Sequence, residues 1–339
     1  MTLPELEADI TALGEKKFRA GQLYGWLHEK RITDFSECTN LSKAFIAKLD
    51  DTYEIKRLTV KRKLESKRDG TIKYLYEFPD GERCETVMMS YKHGNSLCIS
   101  TQVGCRQGCA FCASTLDGLV RNLDAGEMLD EVFFTVRESG GALHSIVLMG
   151  IGEPLDNFDN VLRFLSLVNQ PKGMNIGMRH ITLSTCGIIE RFEDLADRDL
   201  QLTLSVSLHA PDDETRSRIM PANHGRGVDA LMDACRRYYD RTGRRISFEY
   251  AMIDGVNDSA VHAELLAQRA RAVGAHVNLI PLNHVEERPF QPSTQGHMKA
   301  FIKIFTSHCH TNCHAHTCTK RTGCRFNADC VTILRVTRR

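Results

Sequence analysis

The sequence predicts an α/β fold: a partial (β/α)6 barrel behind a small N-terminal helical domain and a short β-meander. Three observations predict it. Beyond Ser96, six short apolar runs alternate with longer stretches of helical period, the pattern of a parallel sheet: Leu97-Cys-Ile-Ser, Ser145-Ile-Val-Leu-Met, His180-Ile-Thr-Leu-Ser, Leu202-Thr-Leu-Ser-Val-Ser-Leu, Ile246-Ser-Phe-Glu-Tyr and His276-Val-Asn-Leu-Ile. Before them, apolar residues recur first at helical spacing and then in alternation. Periodicity does not separate a doubly wound sheet from an incomplete barrel. The polar residues do favour the barrel, because they follow the carboxyl ends of different strands.

Taken in order, Pro4 to about Leu49 carries Leu6, Ile10, Leu13, Phe18, Leu23, Trp26 and Leu27 at helical spacing, with Lys16, Lys17, Arg19, Lys30 and Arg31 between them. Strands follow at Arg57-Leu-Thr-Val-Lys-Arg-Lys-Leu, Ile72-Lys-Tyr-Leu-Tyr-Glu-Phe and Glu85-Thr-Val-Met-Met, with turn signals at Asp69-Gly70 and Asp80-Gly81. Lys56, Arg57, Lys61, Arg62, Lys63, Lys67 and Arg68 make this meander basic, either a phosphate-binding face or a solvated one. The expected segments are 1–52 helical, 53–95 meander, 96–290 barrel and 291–339 C-terminal.

Hydrophobic residues at 42% and charged residues at 26% describe a globular protein with a sizeable core. Apolar runs fall short of the roughly 20 residues that cross a bilayer. A net charge of +1 does not announce a nucleic-acid partner, so an RNA site must come from local patches. The N-terminus shows no charged and apolar leader, and a disulfide framework belongs to small secreted domains, so reduced thiols and a cytoplasmic location are expected.

Cys105, Cys109 and Cys112 stand in Val103-Gly-Cys-Arg-Gln-Gly-Cys-Ala-Phe-Cys-Ala-Ser, a C-x3-C-x2-C spacing on one expected strand-to-helix loop. Four-iron clusters are held by cysteine thiolates, so three thiolates leave one iron free for a ligand that is not protein. Structural zinc would need a fourth ligand, usually from a second spaced pair, and no such pair precedes Cys186. The motif, with Phe111 before its last cysteine, resembles the radical SAM superfamily signature, in which the open iron binds and cleaves S-adenosylmethionine (SAM).

After the second barrel strand, Met149-Gly-Ile-Gly-Glu-Pro-Leu offers small residues for close backbone approach and Glu153 as an acceptor for an amine. Ser184, Ser207, His209 and Asn283 follow later strands and complete a polar cup. Each alone reads more readily as a turn or cap residue, and together, on successive strand ends, they point to a ligand cup. With Glu85-Thr-Val, Leu97-Cys-Ile-Ser-Thr-Gln-Val-Gly-Cys, Arg121-Asn-Leu, Ser207-Leu-His-Ala-Pro and Asn278-Leu-Ile-Pro-Leu-Asn283, the order and spacing are similar to the RlmN-type ribosomal RNA adenine C2 methyltransferases from about residue 4 to 305.

That resemblance implies a radical SAM barrel with an RNA-binding accessory domain. It implies a [4Fe-4S] cluster on Cys105, Cys109 and Cys112, and two SAM per turnover, bound by Gly152, Glu153, Ser184, Ser207, Leu208, His209 and Asn283. The implied substrates are an adenine of 23S rRNA and a tRNA adenine beside the anticodon. A flavodoxin or ferredoxin is the implied electron donor, and the chain is expected to act as a monomer. Adenine C2 is not nucleophilic, so a radical route is needed. In it Cys330 carries the transferred carbon, Cys98 resolves the protein–RNA adduct through a Cys98–Cys330 disulfide, and Glu85 accepts a proton, a role open to Cys98 as well. A C8-methylating relative shares the cluster and both cysteines, and Gly152-Glu153-Pro154 with Gln102-Val103-Gly104 favour C2. From another class, a non-catalytic zinc- or RNA-binding protein would use the thiols structurally.

The pattern breaks at Thr306. Between Thr306 and Cys330 lie five of the thirteen cysteines, with His308, His310, His314 and His316, and apolar alternation stops. Such a tract could bind metal, form an irregular tail, or reflect translation of 306–325 in the wrong frame. The last accounts for the return of Asn327-Ala-Asp-Cys330. Val331-Thr-Ile-Leu stands where the family expects Gly-Gln-Leu.

Overall fold

The computed structural model describes residues 1–55, 58–92, 94–309 and 315–317. Lys56, Arg57 and Cys330, and all of the 306–325 tract except 306–309 and 315–317, lie outside the described residues.

The N-terminal helices are α1 (Leu3–Ala12), α2 (Phe18–Gly25) and α3 (Lys43–Thr52). Thr2 caps α1, its N–H donating 2.7 Å to Glu5 Oε2, and Ser42 caps α3 by accepting from the Phe45 N–H. Leu6, Ile10, Leu23, Phe45 and Leu49 close a core of their own.

The meander strands β1 (Thr59–Glu65), β2 (Ile72–Glu77) and β3 (Arg83–Tyr91) run antiparallel. Gly70 (φ +70°) and Gly81 (φ +86°) supply the left-handed residues of their turns. Then come β4 (Gly94–Cys98), β5 (Gln102–Gly104), β6 (Leu119–Asn122), α4 (Ala125–Ser139), β7 (Leu143–Leu148), α5 (Phe158–Val168), β8 (Ile181–Thr185), α6 (Phe192–Ala196) and β9 (Thr203–Ser207). The order continues with α7 (Asp213–Ile219), α8 (Val228–Thr242), β10 (Ser247–Met252), α9 (Ala260–Val273), β11 (His276–Pro281), α10 (Gln295–His308) and β12 (Ala315–Thr317).

The six expected barrel strands are β4, β7, β8, β9, β10 and β11, all parallel. They do not close. β4 also pairs antiparallel with β3, so meander and barrel form one ten-stranded sheet in the order β1-β2-β3-β4-β7-β8-β9-β10-β11-β12. β12, inside the tract where apolar alternation fails, pairs parallel with β11 for three residues.

Register sorts the two faces, because paired residues point to the same side. Leu97, Ile146 and Ile181 are in register and fully buried, as are Val206, Phe248 and Val277, on the helix-covered face. The opposite face is polar. Lys73, Val87, Cys98, Val147, Thr182 and Thr203 form one row across six strands. Ser205, Ser247 and His276 form another, and Ser207, Glu249 and Asn278 a third.

The cysteine loop departs from the expected strand-to-helix connection. It closes a separate hairpin of β5 and β6, pinned by the Cys105 N–H donating 2.9 Å to Gly118 O. α4 begins only afterwards, at its Asp124–Glu127 capping box. Two strands of three and four residues are too short to announce themselves by alternation.

Candidate active site

The polar concave face opens into a cavity of about 1000 Å³. Its wall includes Cys105, Cys109 and Cys112, with Gly152, Glu153, Ser184, Ser207 and His209. Leu208 is not on that wall, since its side chain is 0% exposed in the core. Asn283, Glu85 and Cys98 also lie outside the wall, although Cys98 shares its face with Ser96, which lines it.

The cysteine loop is held from several sides. The Thr115 hydroxyl donates to Cys109 O (3.1 Å) or Cys112 O (3.0 Å). Arg288, from the segment after β11, donates to Cys112 O (3.2 Å) and Thr115 Oγ1 (2.9 Å), and the Ala110 N–H bonds Ile219 O (2.8 Å). Burial pushes the Cys105 thiol up to about 11 and raises Cys109 further. Thiols so desolvated stay protonated until a metal takes them, since thiolate is the binding form.

His209 sits in the left-handed region (φ 53°) and is buried. Its Nδ1 accepts the Ala251 N–H at 2.9 Å, which leaves the ring hydrogen on Nε2 as a donor. Burial first, then the Arg216 charge, hold its pKa to about 3, so the ring is neutral. Phe111 packs edge-on against it, 5.0 Å between centroids, and ties the cysteine loop to the far rim.

Glu153 is buried, with Oε1 accepting the Leu155 N–H (3.0 Å) and Oε2 the Cys186 N–H (2.7 Å). Burial raises its carboxyl. It shapes the turn after β8 and lines the cavity. Gly152 (φ +104°) must be glycine, because a Cβ there would lie 2.6 Å from Gln102 Cβ.

At the meander end of the same face, Lys73 Nζ meets Glu85 Oε1 at 2.8 Å, with side-chain exposures of 6% and 15%. Cys98 is 2% exposed, and burial pushes its thiol up to about 12. It therefore needs a base before it can act as a nucleophile, and Glu85 is the nearest carboxylate on its own face by register.

The model of the radical SAM superfamily matches residues 99–266, and that of the ribosomal RNA large subunit methyltransferase N-terminal domain matches residues 1–55. A probable dual-specificity RNA methyltransferase RlmN from Lachnoclostridium phytofermentans is 49% identical over 304 residues, 90% of this chain and 85% of that protein. The chain belongs to the RlmN family of radical SAM methyltransferases. A protein of the same description from Bacillus velezensis is 48% identical over 308 residues, 90% of this chain and 85% of its own. A crystal structure of a radical SAM methyltransferase from Sphaerobacter thermophilus superposes with a TM-score of 0.88 at 40% identity, covering 94% of each chain.

Membership implies a [4Fe-4S] cluster and SAM, and the donor set fits them. Among the described residues, only Asp254, Asp258 and His297 bring three potential ligand atoms within 4.8 Å of one another. At least one pair of the three loop sulfurs is therefore more than 4.8 Å apart, wider than the roughly 3.8 Å between sulfurs on one tetrahedral zinc with bonds of about 2.3 Å. A multi-iron cluster suits that wider set.

Sequence reasoning missed Lys73, Arg288 and Arg216. Lys73 stands in an alternating strand among many basic residues, so only its burial singles it out. Arg288 and Arg216 lie in charged stretches, Glu286-Glu-Arg and Asp212-Asp-Glu-Thr-Arg-Ser-Arg, that read as solvated surface. Their alignment with the cavity is a tertiary fact.

Proposed function

We propose that this chain methylates C2 of an adenine in 23S rRNA, and of a tRNA adenine beside the anticodon, through an S-methylcysteine at Cys330. The observation that carries the reading is 49% identity over 90% of the chain to a dual-specificity RNA methyltransferase. It is supported by the register that sets Glu85 and Cys98 on the concave face that also forms the cysteine-lined cavity. Cys105, Cys109 and Cys112 would hold the cluster, while Gly152, Glu153, Ser184, Ser207 and His209 on the cavity wall would bind SAM, with Leu208 and Asn283 behind that wall completing the set the resemblance implies. When bound, cluster and SAM supply the methyl group and the one-electron chemistry that adenine C2 demands.

The chain's own residues do the rest. His209 Nε2–H donates into the cavity without adding charge. Glu85, fixed by Lys73, takes the proton that leaves C2, and the adduct's unpaired electron would pass back to the one-electron carrier that the cluster supplies. Cys98, once deprotonated, attacks the Cys330 sulfur. The new S–S bond forms as the S–CH2 bond breaks, the electron pair passes to the adenine-bound carbon, and protonation completes the methyl group. A donor of the flavodoxin or ferredoxin class would supply the electron for the cluster, and a dithiol reductant would return the disulfide to two thiols. Residues 1–52 and the basic meander of 53–95 would bring RNA to a barrel of 96–290, with 291–339 delivering Cys330. The chain works as a cytoplasmic monomer in this reading.

Methyl-labelled SAM tests it. Cys330→Ala should yield neither methylcysteine nor RNA adduct, whereas Cys98→Ala should trap RNA covalently on Cys330. The same incubation with 306–325 replaced by a strand-forming segment measures what the Cys/His tract does to delivery. Label at another residue in every version would refute the Cys330 assignment.

A further inference from the structure

Arg216, on α7, is 2% exposed. Among the described residues its guanidinium makes four hydrogen bonds, none to a carboxylate. Nε donates to Leu208 O (3.0 Å), Nη1 to Asn223 Oδ1 (2.8 Å), and Nη2 to both Cys186 O (2.6 Å) and Ser207 O (3.2 Å). Asp213, the carboxylate beyond Asn223, is reached only through that amide (2.9 Å) and is itself exposed.

Two features of this arrangement need explaining. Its carbonyl partners belong to the turns after β8 and β9, which carry Ser184, Ser207 and His209, so one side chain staples two walls of the cavity. A buried charge without a counter-ion is also expensive, and a neutral donor could have satisfied carbonyls at less cost. The cysteine loop packs beside it: the Ala110 N–H, next to Cys109, bonds Ile219 O at the end of α7 (2.8 Å), and Cys186, whose carbonyl Nη2 holds, reaches Gln107 of the loop with its thiol (3.5 Å). A four-iron cluster on three thiolates is anionic and becomes more so on reduction, and net charge nearby is among the levers that set its potential.

We propose that Arg216 is a positioning residue for the SAM cup and the fixed positive charge that eases reduction of the cluster. This rests on the assignment of Cys105, Cys109 and Cys112 as cluster ligands. The two roles separate in two variants of the full chain, reconstituted anaerobically. Arg216→Lys keeps the charge and loses the staple. SAM affinity by equilibrium dialysis should fall about tenfold, with the midpoint potential near that of the parent. Asn223→Asp keeps the staple and sets a carboxylate against Nη1. Reduction should become about tenfold harder, about 59 mV for a one-electron couple, with SAM affinity retained.

Parental SAM affinity in Arg216→Lys overturns the positioning role. A parental potential in Asn223→Asp overturns the electrostatic one, and Arg216→Gln gives the same reading if Asn223→Asp does not fold. Replacement of all three cysteines by Ala tells the two failures apart. Iron retained there refutes the cluster assignment itself, whereas iron lost there with an unmoved potential in Asn223→Asp refutes Arg216 alone.

Discussion

Glu131 offers a pH test of how the strands bearing Glu85 and Cys98 are held. It lies on α4 beneath β3 and β4, fully buried, with Oε2 accepting the Thr86 hydroxyl and, at 3.0 Å, the Ser100 N–H, and with the Cys84 thiol alongside. Burial pushes its carboxyl from 4.5 up to about 8. Below pH 4.5 folded and unfolded chains both carry the proton. Between 4.5 and about 8 the unfolded chain has lost it and the folded one keeps it, so stability falls as pH rises and levels off above about 8. At about 1.4 kcal/mol per pH unit the span amounts to roughly 4–5 kcal/mol. Glu131→Gln cannot ionise and retains an acceptor for the Ser100 N–H. Anaerobic urea unfolding of parent and variant from pH 5 to 9 should show the variant gaining on the parent by several kcal/mol across that range. Parallel profiles would refute the idea that a buried, proton-retaining carboxyl underlies these strands.

Two further outcomes are expected. Gly104→Ala puts a Cβ 2.0 Å from Gly118 O at φ +72°, so the hairpin neck must open at a cost of at least about 2 kcal/mol, read as a lower melting temperature and lower iron content. Iron content and melting equal to the parent would show that the neck does not fix the cysteine loop. Lys73→Met strands the Glu85 carboxylate and should destabilise the chain by about 3 kcal/mol. Adding Glu85→Gln should recover most of that loss, and simple additivity in the double-mutant cycle would remove the ion pair from the account.

The sequence exposes what depends on local pattern. Apolar runs such as Ser145-Ile-Val-Leu-Met and Leu202-Thr-Leu-Ser-Val-Ser-Leu become β7 and β9 within a residue or two, because buried parallel strands need apolar side chains on their helix-covered face whatever surrounds them. Gly152, Ser184, Ser207 and His209 were legible as a group since strand ends of one parallel sheet share a rim. Asn283 and Leu208 kept their strand-end positions and still missed the cavity wall, a matter of how each turn leaves its strand. Glu131 and Arg216 were illegible for one reason: on a helix in isolation, a charged residue belongs to the solvent side. Only packing reveals that these two face inward.

The seam between β3 and β4 also bears on how far this catalyst can be dissected. It pairs five residues, Val87–Tyr91 with Gly94–Cys98, and on it the strand bearing Glu85 and the strand bearing Cys98 lie side by side. A fragment begun at residue 96 to isolate the barrel would cut β4 in two and strip its antiparallel neighbour. The remaining backbone donors and acceptors, beside the apolar Leu97 and Ile99, would offer a template for another chain. Cys98 would also lose the register that fixes which way its thiol points. The smallest unit that keeps the proposed chemistry on one side of a sheet therefore starts at the meander, upstream of the Cys105–Cys112 motif by which the family is recognised.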